Sequence, residues 1–262
     1  MEETKTENKE TTTPSLSELA QANMASYNMS KNGTRNDRLE NVQKQAPEGY
    51  SVVNDFTDKM ISTFRKDTEN PDDLSHFIIA HRGSDFAGTQ AKKDLLSDWN
   101  ILTGNETTDY IHKRRGNKTK RAVNALKSQG DVYLTGHSLG GSTAYHSLVQ
   151  HPTLLESVKE VHLFNAGSSP FQEEQRNEIG GDIYKLLKKK VVHHSVKGDL
   201  VSKNAKKVFI GKHKTYKSSK KPTMSDKILK VISPLLGPWK ILVDTKQGLV
   251  NALTKHSIDN FV

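Results

Sequence analysis

No cysteine occurs in the 262 residues, which excludes disulfides and thiolate metal sites. No run of about 18 or more apolar residues is present, so no transmembrane helix is expected. The N-terminus, MEETKTENKETTTPS, has neither a basic n-region nor an apolar h-region and does not read as a secretory signal. Apolar residues are scarce too, at 33% against 26% charged, because polar stretches dilute a middle section patterned for burial. These absences point to an intracellular protein, soluble or peripheral to a membrane, built around one sizeable core.

Lysine, by contrast, is abundant. The net charge is +9, yet the start of the chain is mildly acidic (Glu2, Glu3, Glu7, Glu10). The segment Lys185 to Lys221 carries most of the excess, in Lys188-Lys189-Lys190, Lys206-Lys207 and Lys220-Lys221. Such a surface attracts polyanions, whether nucleic acid or anionic lipid headgroups. A solvated face without a partner explains it equally well.

Residues 1–48 read as a polar N-terminal segment, disordered over about the first 14 residues. A short helix is expected from Ser15, with Leu16, Leu19, Ala20 and Met24 near one face, followed by loop over 30–48. From 49 to 262 the pattern is that of a packed domain. Tyr50–Val53 and Lys59–Phe64 read as an antiparallel pair, and Phe77–Ala80 as a buried strand. A helix with a very basic outer face is expected from Arg114 through Ala122–Leu126, ending near Gly130. It is followed by a strand over Asp131–Thr135 and a helix from Leu139 to Val149. Val158–Phe164 and Val191–Val196 are two further strands, separated by a charged helical stretch over Glu173–Lys190. This alternation predicts an α/β architecture, a mostly parallel central sheet with helices on both faces.

The chemistry lies in Gly136-His137-Ser138-Leu139-Gly140-Gly141, set between a buried strand and a helix. Gly-x-Ser-x-Gly in that context lifts a serine hydroxyl above the sheet edge on a strained turn, with the following helix N-terminus aimed at a developing oxyanion. Ser138 is therefore the candidate nucleophile. A serine hydroxyl needs a base steadied by a carboxylate, and in this architecture the order is serine, acid, histidine. Asp199, just past the strand His193–Val196, is the candidate acid, while Asp182 reads as a helix cap. Only His213 and His256 follow Asp199. His213 lies between Lys212 and Lys214, whose charges depress its basicity, so His256 is preferred, ahead of an apolar end segment that can pin it to the domain. His137 and His146 read as packing residues. The oxyanion donors are the backbone N–H of Leu139 and one from the loop after Phe77–Ala80. No cofactor and no metal are called for.

With these residues in place the chain resembles the class-three lipases, the fungal-lipase-like branch of the α/β hydrolases, over roughly Tyr50 to Val201 plus the C-terminal histidine segment. The resemblance is carried by Arg82-Gly83-Ser84, Asp98-Trp99, the GHSLGG elbow, Phe164-Asn165-Ala166-Gly167 and Gly198-Asp199-Leu200-Val201. It implies Ser138, Asp199 and His256 as triad and Ser84 as an oxyanion residue. It also implies cofactor-independent hydrolysis of acylglycerol or phospholipid esters. Three features depart from the family pattern: His81 replaces an aromatic residue, no acid follows Trp99, and the lid stretch Asp85–Asp94 is polar. A polar lid favours phospholipase A1-like or monoacylglycerol substrates over bulk fat.

Between Asp199 and His256 an insertion at about 203–250 contains the apolar, proline-broken run Val231–Val243 with Trp239. It reads either as core over the active site or as an interfacial element seated among anionic headgroups. The expected partner is thus a lipid ester, with peripheral contact to anionic membranes; nucleic acid ranks lower and the oligomeric state is left open. An acyltransferase or thioesterase could use the same triad, and a non-enzymatic polyanion-binding protein remains the contrasting class.

Overall fold

The computed structural model describes residues 13–68, 75–84, 110–168, 173–199, 201–217 and 258–261. Seven strands form one sheet in chain order: β1 (Tyr50–Val52), β2 (Ile61–Lys66), β3 (Ser75–His81), β4 (Gly130–His137), β5 (Val158–Phe164), β6 (Val191–Val196) and β7 (Lys212–Tyr216). β1–β2 and β2–β3 pair antiparallel, and β3 through β7 run parallel. The parallel part puts the C-terminal ends of β3, β4, β5 and β6 along one edge, where ligands of open α/β sheets bind.

Side chains alternate along these strands, so each face buries its own set. On one face Phe77, Ile79, Val132, Leu134, Val161 and Leu163 pack under α3 (Tyr110–Leu126), α4 (Leu139–Gln150) and α7 (Gly181–Lys190). On the other, Ile78, Ala80, Tyr133, Phe164 and Val196 lie under α1 (Leu16–Ser26), α2 (Arg35–Lys44) and a one-turn 3-10 helix at Ile258–Phe261. Three short helices, α5 (Leu154–Ser157), α6 (Glu173–Asn177) and α8 (Ala205–Val208), complete the connections. This mostly parallel sheet with a helical layer on each face is the α/β-hydrolase arrangement. No helix among the described residues is long and apolar enough to cross a membrane.

Three local expectations change. The loop expected over 30–48 contains α2, which starts on a capping box: Thr34 accepts from the Asp37 N–H, and Asp37 accepts from the Thr34 N–H. Its interior is strongly polar, so the sequence period shows little, yet Leu39 and Val42 are buried against the core. The charged stretch 173–190 is two helices, separated at Gly180-Gly181, where Gly181 has φ +60°. β7 is an edge strand that alternating Lys212 and Lys214 hide from any apolar pattern; lysines on an edge also discourage pairing with another chain. Residues 1–12, the lid stretch 85–94, Asp98-Trp99 and the apolar run 231–243 lie outside the described residues.

Candidate active site

Ser138 occupies the single-residue turn between β4 and α4 with φ +57° and ψ −125°, a conformation L-residues rarely adopt. Its N–H donates to the Phe164 carbonyl at 3.1 Å, and its carbonyl accepts from Ser142 at 3.2 Å and Gly167 at 3.1 Å. The turn is locked from both sides. The flanking glycines are required by close approach: a Cβ at Gly136 would strike the Gly140 carbonyl, and one at Gly140 would strike the carbonyl of His81. The expected tight strand-to-helix turn is present, with the serine backbone strained and α4 opening directly at Leu139.

Because Gly140 abuts His81, the loop after β3 lies against the elbow. β3 and β4 are parallel neighbours, with His81 opposite Gly136, so the N–H groups of Ser84 and Leu139 stand at adjacent strand ends. Beneath them is a buried polar lattice. His81 is fully buried, with Nδ1 3.1 Å from the Thr143 hydroxyl and Nε2 2.9 Å from the Thr119 hydroxyl. Burial first, then the Arg115 charge and His112, hold its pKa well below the usual histidine value. Both hydroxyls give their own protons to carbonyls, Thr143 to Gly140 at 3.1 Å and Thr119 to Arg115 at 2.8 Å, so each presents lone pairs to the ring, which donates to one of them. Arg115, also buried, donates to the Arg82 carbonyl and, at 3.1 Å, to Thr143. Arg82 in turn donates from Nε to the Lys59 carbonyl at 2.8 Å. The lattice fixes the peptide run 81–83, and His81 is one of its members.

Asp199 follows β6 and a turn through Gly198 at φ +83°, and it is 4% exposed. Its Oδ2 accepts from the N–H of Ser202 at 2.8 Å and from the Ser202 hydroxyl. β4 and β6 are separated by β5 alone, so Ser138 and Asp199 follow strands two spacings apart, about 10 Å, at the same sheet edge. The β5–α6 loop ties these ends together. Asn165, at φ +42°, donates its N–H to the His194 carbonyl at 2.8 Å and accepts the Val196 N–H on Oδ1 at 2.9 Å. Gly167 then holds the Ser138 carbonyl, and Ser168 donates to Val201 at 3.1 Å, next to the Asp199 loop.

His256 lies outside the described residues, but the turn two residues further on is described. Ile258 and Phe261 are buried. The Phe261 ring packs on Phe164 with centroids 4.9 Å apart, and on Tyr216 at 5.4 Å. His213 is engaged elsewhere: its ring stacks on the buried His193 at 4.5 Å, and Nε2 donates to the Phe209 carbonyl at 3.3 Å. Its pKa is lowered, first by burial and then by Lys206 and Arg176, not by the flanking Lys212 and Lys214. His137 and His146 serve packing and support, as the sequence suggested. His146 meets His112 edge to face at 5.3 Å.

The helix missed as a contributor is α1. At its end Tyr27 reaches the site: its hydroxyl is 3.0 Å from His137 Nδ1 and fills the space a Cβ at Gly83 would need. One phenol therefore touches the residue before Ser138 and the residue before Ser84. Nothing in the sequence marks it, since an isolated tyrosine after an alanine-rich helix has no motif. α1 itself is anchored by a Ser15–Glu18 capping box and by Asn23, which donates to the buried Thr135 hydroxyl at 2.6 Å.

A scan against protein-family models finds no match, and neither does a search of the curated proteins. Among solved structures the chain is similar to the crystal structure of a predicted CIB-like hydrolase from Thermoplasma acidophilum, at 13% identity and a TM-score of 0.34, over 71% of this chain and 93% of that one. That likeness is too weak to bear on the assignment, which stands on strand order and the elbow. This chain carries a strained serine at a strand-to-helix elbow on an α/β-hydrolase sheet.

Proposed function

We propose that the protein is a serine carboxylester hydrolase acting on acyl esters of lipids, of phospholipase A1-like or monoacylglycerol type, related to the class-three lipases. The observation that carries this reading is Ser138 held at φ +57° between β4 and α4, with a buried aspartate two strands away at the same sheet edge. Ser138 attacks the ester carbonyl while His256 takes its proton, and Asp199 orients His256. The N–H groups of Leu139 and Ser84 receive the oxyanion. Collapse of the tetrahedral adduct expels the alcohol with the proton from His256, and water then hydrolyses the acyl-enzyme by the same path. The docked turn at 258–261 supports His256, because it tethers the histidine's segment to the strand whose end binds the Ser138 backbone.

The test is fluorophosphonate labelling and hydrolysis of short p-nitrophenyl esters, followed by a phospholipid and glyceride panel, with wild type beside Ser138→Ala. Labelling and ester cleavage should both vanish in the variant. Equal rates for the two proteins would sink the assignment.

A further inference from the structure

α3 is a 17-residue helix without a single acidic residue. Its inner face is core: Ile111, Ala122, Val123 and Leu126 are all buried. Lys113, Arg114, Lys120 and Arg121 are all exposed and recur at helical spacing with Asn117 and Asn124, and exposed Lys127 continues the row just past the helix end. This row of five cations extends over about 21 Å at 1.5 Å per residue. Lys118, at the margin, pairs with Asp58, but none of these five has a carboxylate within ion-pair distance among the described residues.

The row also has a direction. Its first turn is at the catalytic edge, where His112 approaches Ser142 at 3.5 Å and Arg115 holds the loop after β3. At that end Tyr110 is 62% exposed, with the Arg114 guanidinium 5.9 Å from its ring centre and bonded to its hydroxyl at 3.3 Å. We infer that the outer face of α3 is a docking surface for an anionic phospholipid bilayer, which seats the catalytic edge beside the membrane. This inference rests on the lipid-ester reading of the site.

Two observations favour a bilayer over a nucleic acid. α3 packs lengthwise against α4 within a helical layer, so its outer face belongs to a broad surface and is not a rod free to enter a groove. An exposed tyrosine at the end of the cationic row suits the headgroup zone, where amphipathic rings settle. The apolar side of α3 is already used by the core, so attachment is electrostatic, without insertion, and weakens with salt.

The test uses full-length Ser138→Ala, so that vesicles are not consumed. It should co-sediment with phosphatidylcholine vesicles containing phosphatidylglycerol and not with phosphatidylcholine alone. Adding Lys120→Gln, Arg121→Gln and Lys127→Gln should weaken that binding about a hundredfold, since each cation near an anionic leaflet is worth about fivefold. Removing the same charge from the opposite face of the sheet, at and beside α2, as Lys31→Gln, Arg35→Gln and Lys44→Gln, should cost under tenfold. Equal losses from the two triples, or equal binding to neutral and anionic vesicles, overturn the inference. So does a salt-sensitive DNA gel shift that the α3 triple abolishes, with no vesicle binding. Soluble-ester hydrolysis by otherwise wild-type protein separates the two readings: vesicle docking through α3 without any esterase activity leaves the surface standing and removes the enzyme, and the reverse removes only the surface.

Discussion

The ring of Phe261 packs on the ring of Phe164 at 4.9 Å, and the carbonyl of that same Phe164 accepts the N–H of Ser138 at 3.1 Å. The 258–261 turn is thus one residue removed from Ser138. Phe261→Ala should lower stability by about 2–4 kcal/mol through the cavity it leaves. Assayed well below its melting temperature, it should still lose at least about tenfold in kcat, because the His256 segment loses its tether. Phe261→Leu should recover most of that rate. Full activity in a destabilised Phe261→Ala protein would show that this turn does not carry the base.

Strain at Ser138 gives a second outcome. A residue held at φ +57°, ψ −125° costs on the order of 1–3 kcal/mol, and glycine relieves it. Ser138→Gly should therefore be about 1 kcal/mol more stable than Ser138→Ala by urea unfolding, while both are inactive. A less stable glycine variant would mean that the turn is unstrained.

Tyr27 gives a third. Tyr27→Phe keeps the ring and removes the hydroxyl that meets His137 and crowds Gly83. Expected are a roughly tenfold drop in kcat, little change in KM, and a stability loss near 1 kcal/mol. A fall confined to the melting temperature would assign Tyr27 to packing alone.

Acid sensitivity follows from the histidines. Burial, the largest cause in each case, pushes His194 down to about 3 and holds His81 and His193 well below their usual 6.5. In the unfolded chain these rings titrate near 6.5, so below that pH the unfolded state binds protons the native state refuses. The stability is therefore complete above about pH 6.5 and falls as pH drops, by up to about 4 kcal/mol per pH unit for three sites. Chemical unfolding between pH 7.5 and 5.5 measures that slope, and His194→Gln should reduce it by about a third. A flat profile over that interval would contradict neutral burial of all three.

The sequence revealed the elbow and the parallel strands because their signals are local. Val132, Tyr133 and Leu134 are an unbroken apolar run, and Gly136 answers to a contact within the turn, while Gly140 and Gly141 meet the neighbouring strand ends at His81 and Ala166. Strand limits of β5 and β6 were readable to the residue. α2 was hidden because only Leu39 and Val42 face the core, and β7 because its residues are half solvated. Tyr27 and the His81 lattice escaped for a different reason: their partners stand far off in the chain, at His137 and at Thr119 and Thr143. The place of Asp199 just past β6 was legible from the strand pattern, whereas its fixation by Ser202 is set by the folded turn.

The docking of the 258–261 turn against α1 and Phe164 has a consequence for refolding. The elbow at 136–141 sits between neighbouring strands, whereas this turn meets α1 only by joining segments some 230 residues apart, the kind of long-range contact that forms slowly. In refolding, the sheet and its elbow should therefore form before Phe261 settles on Phe164.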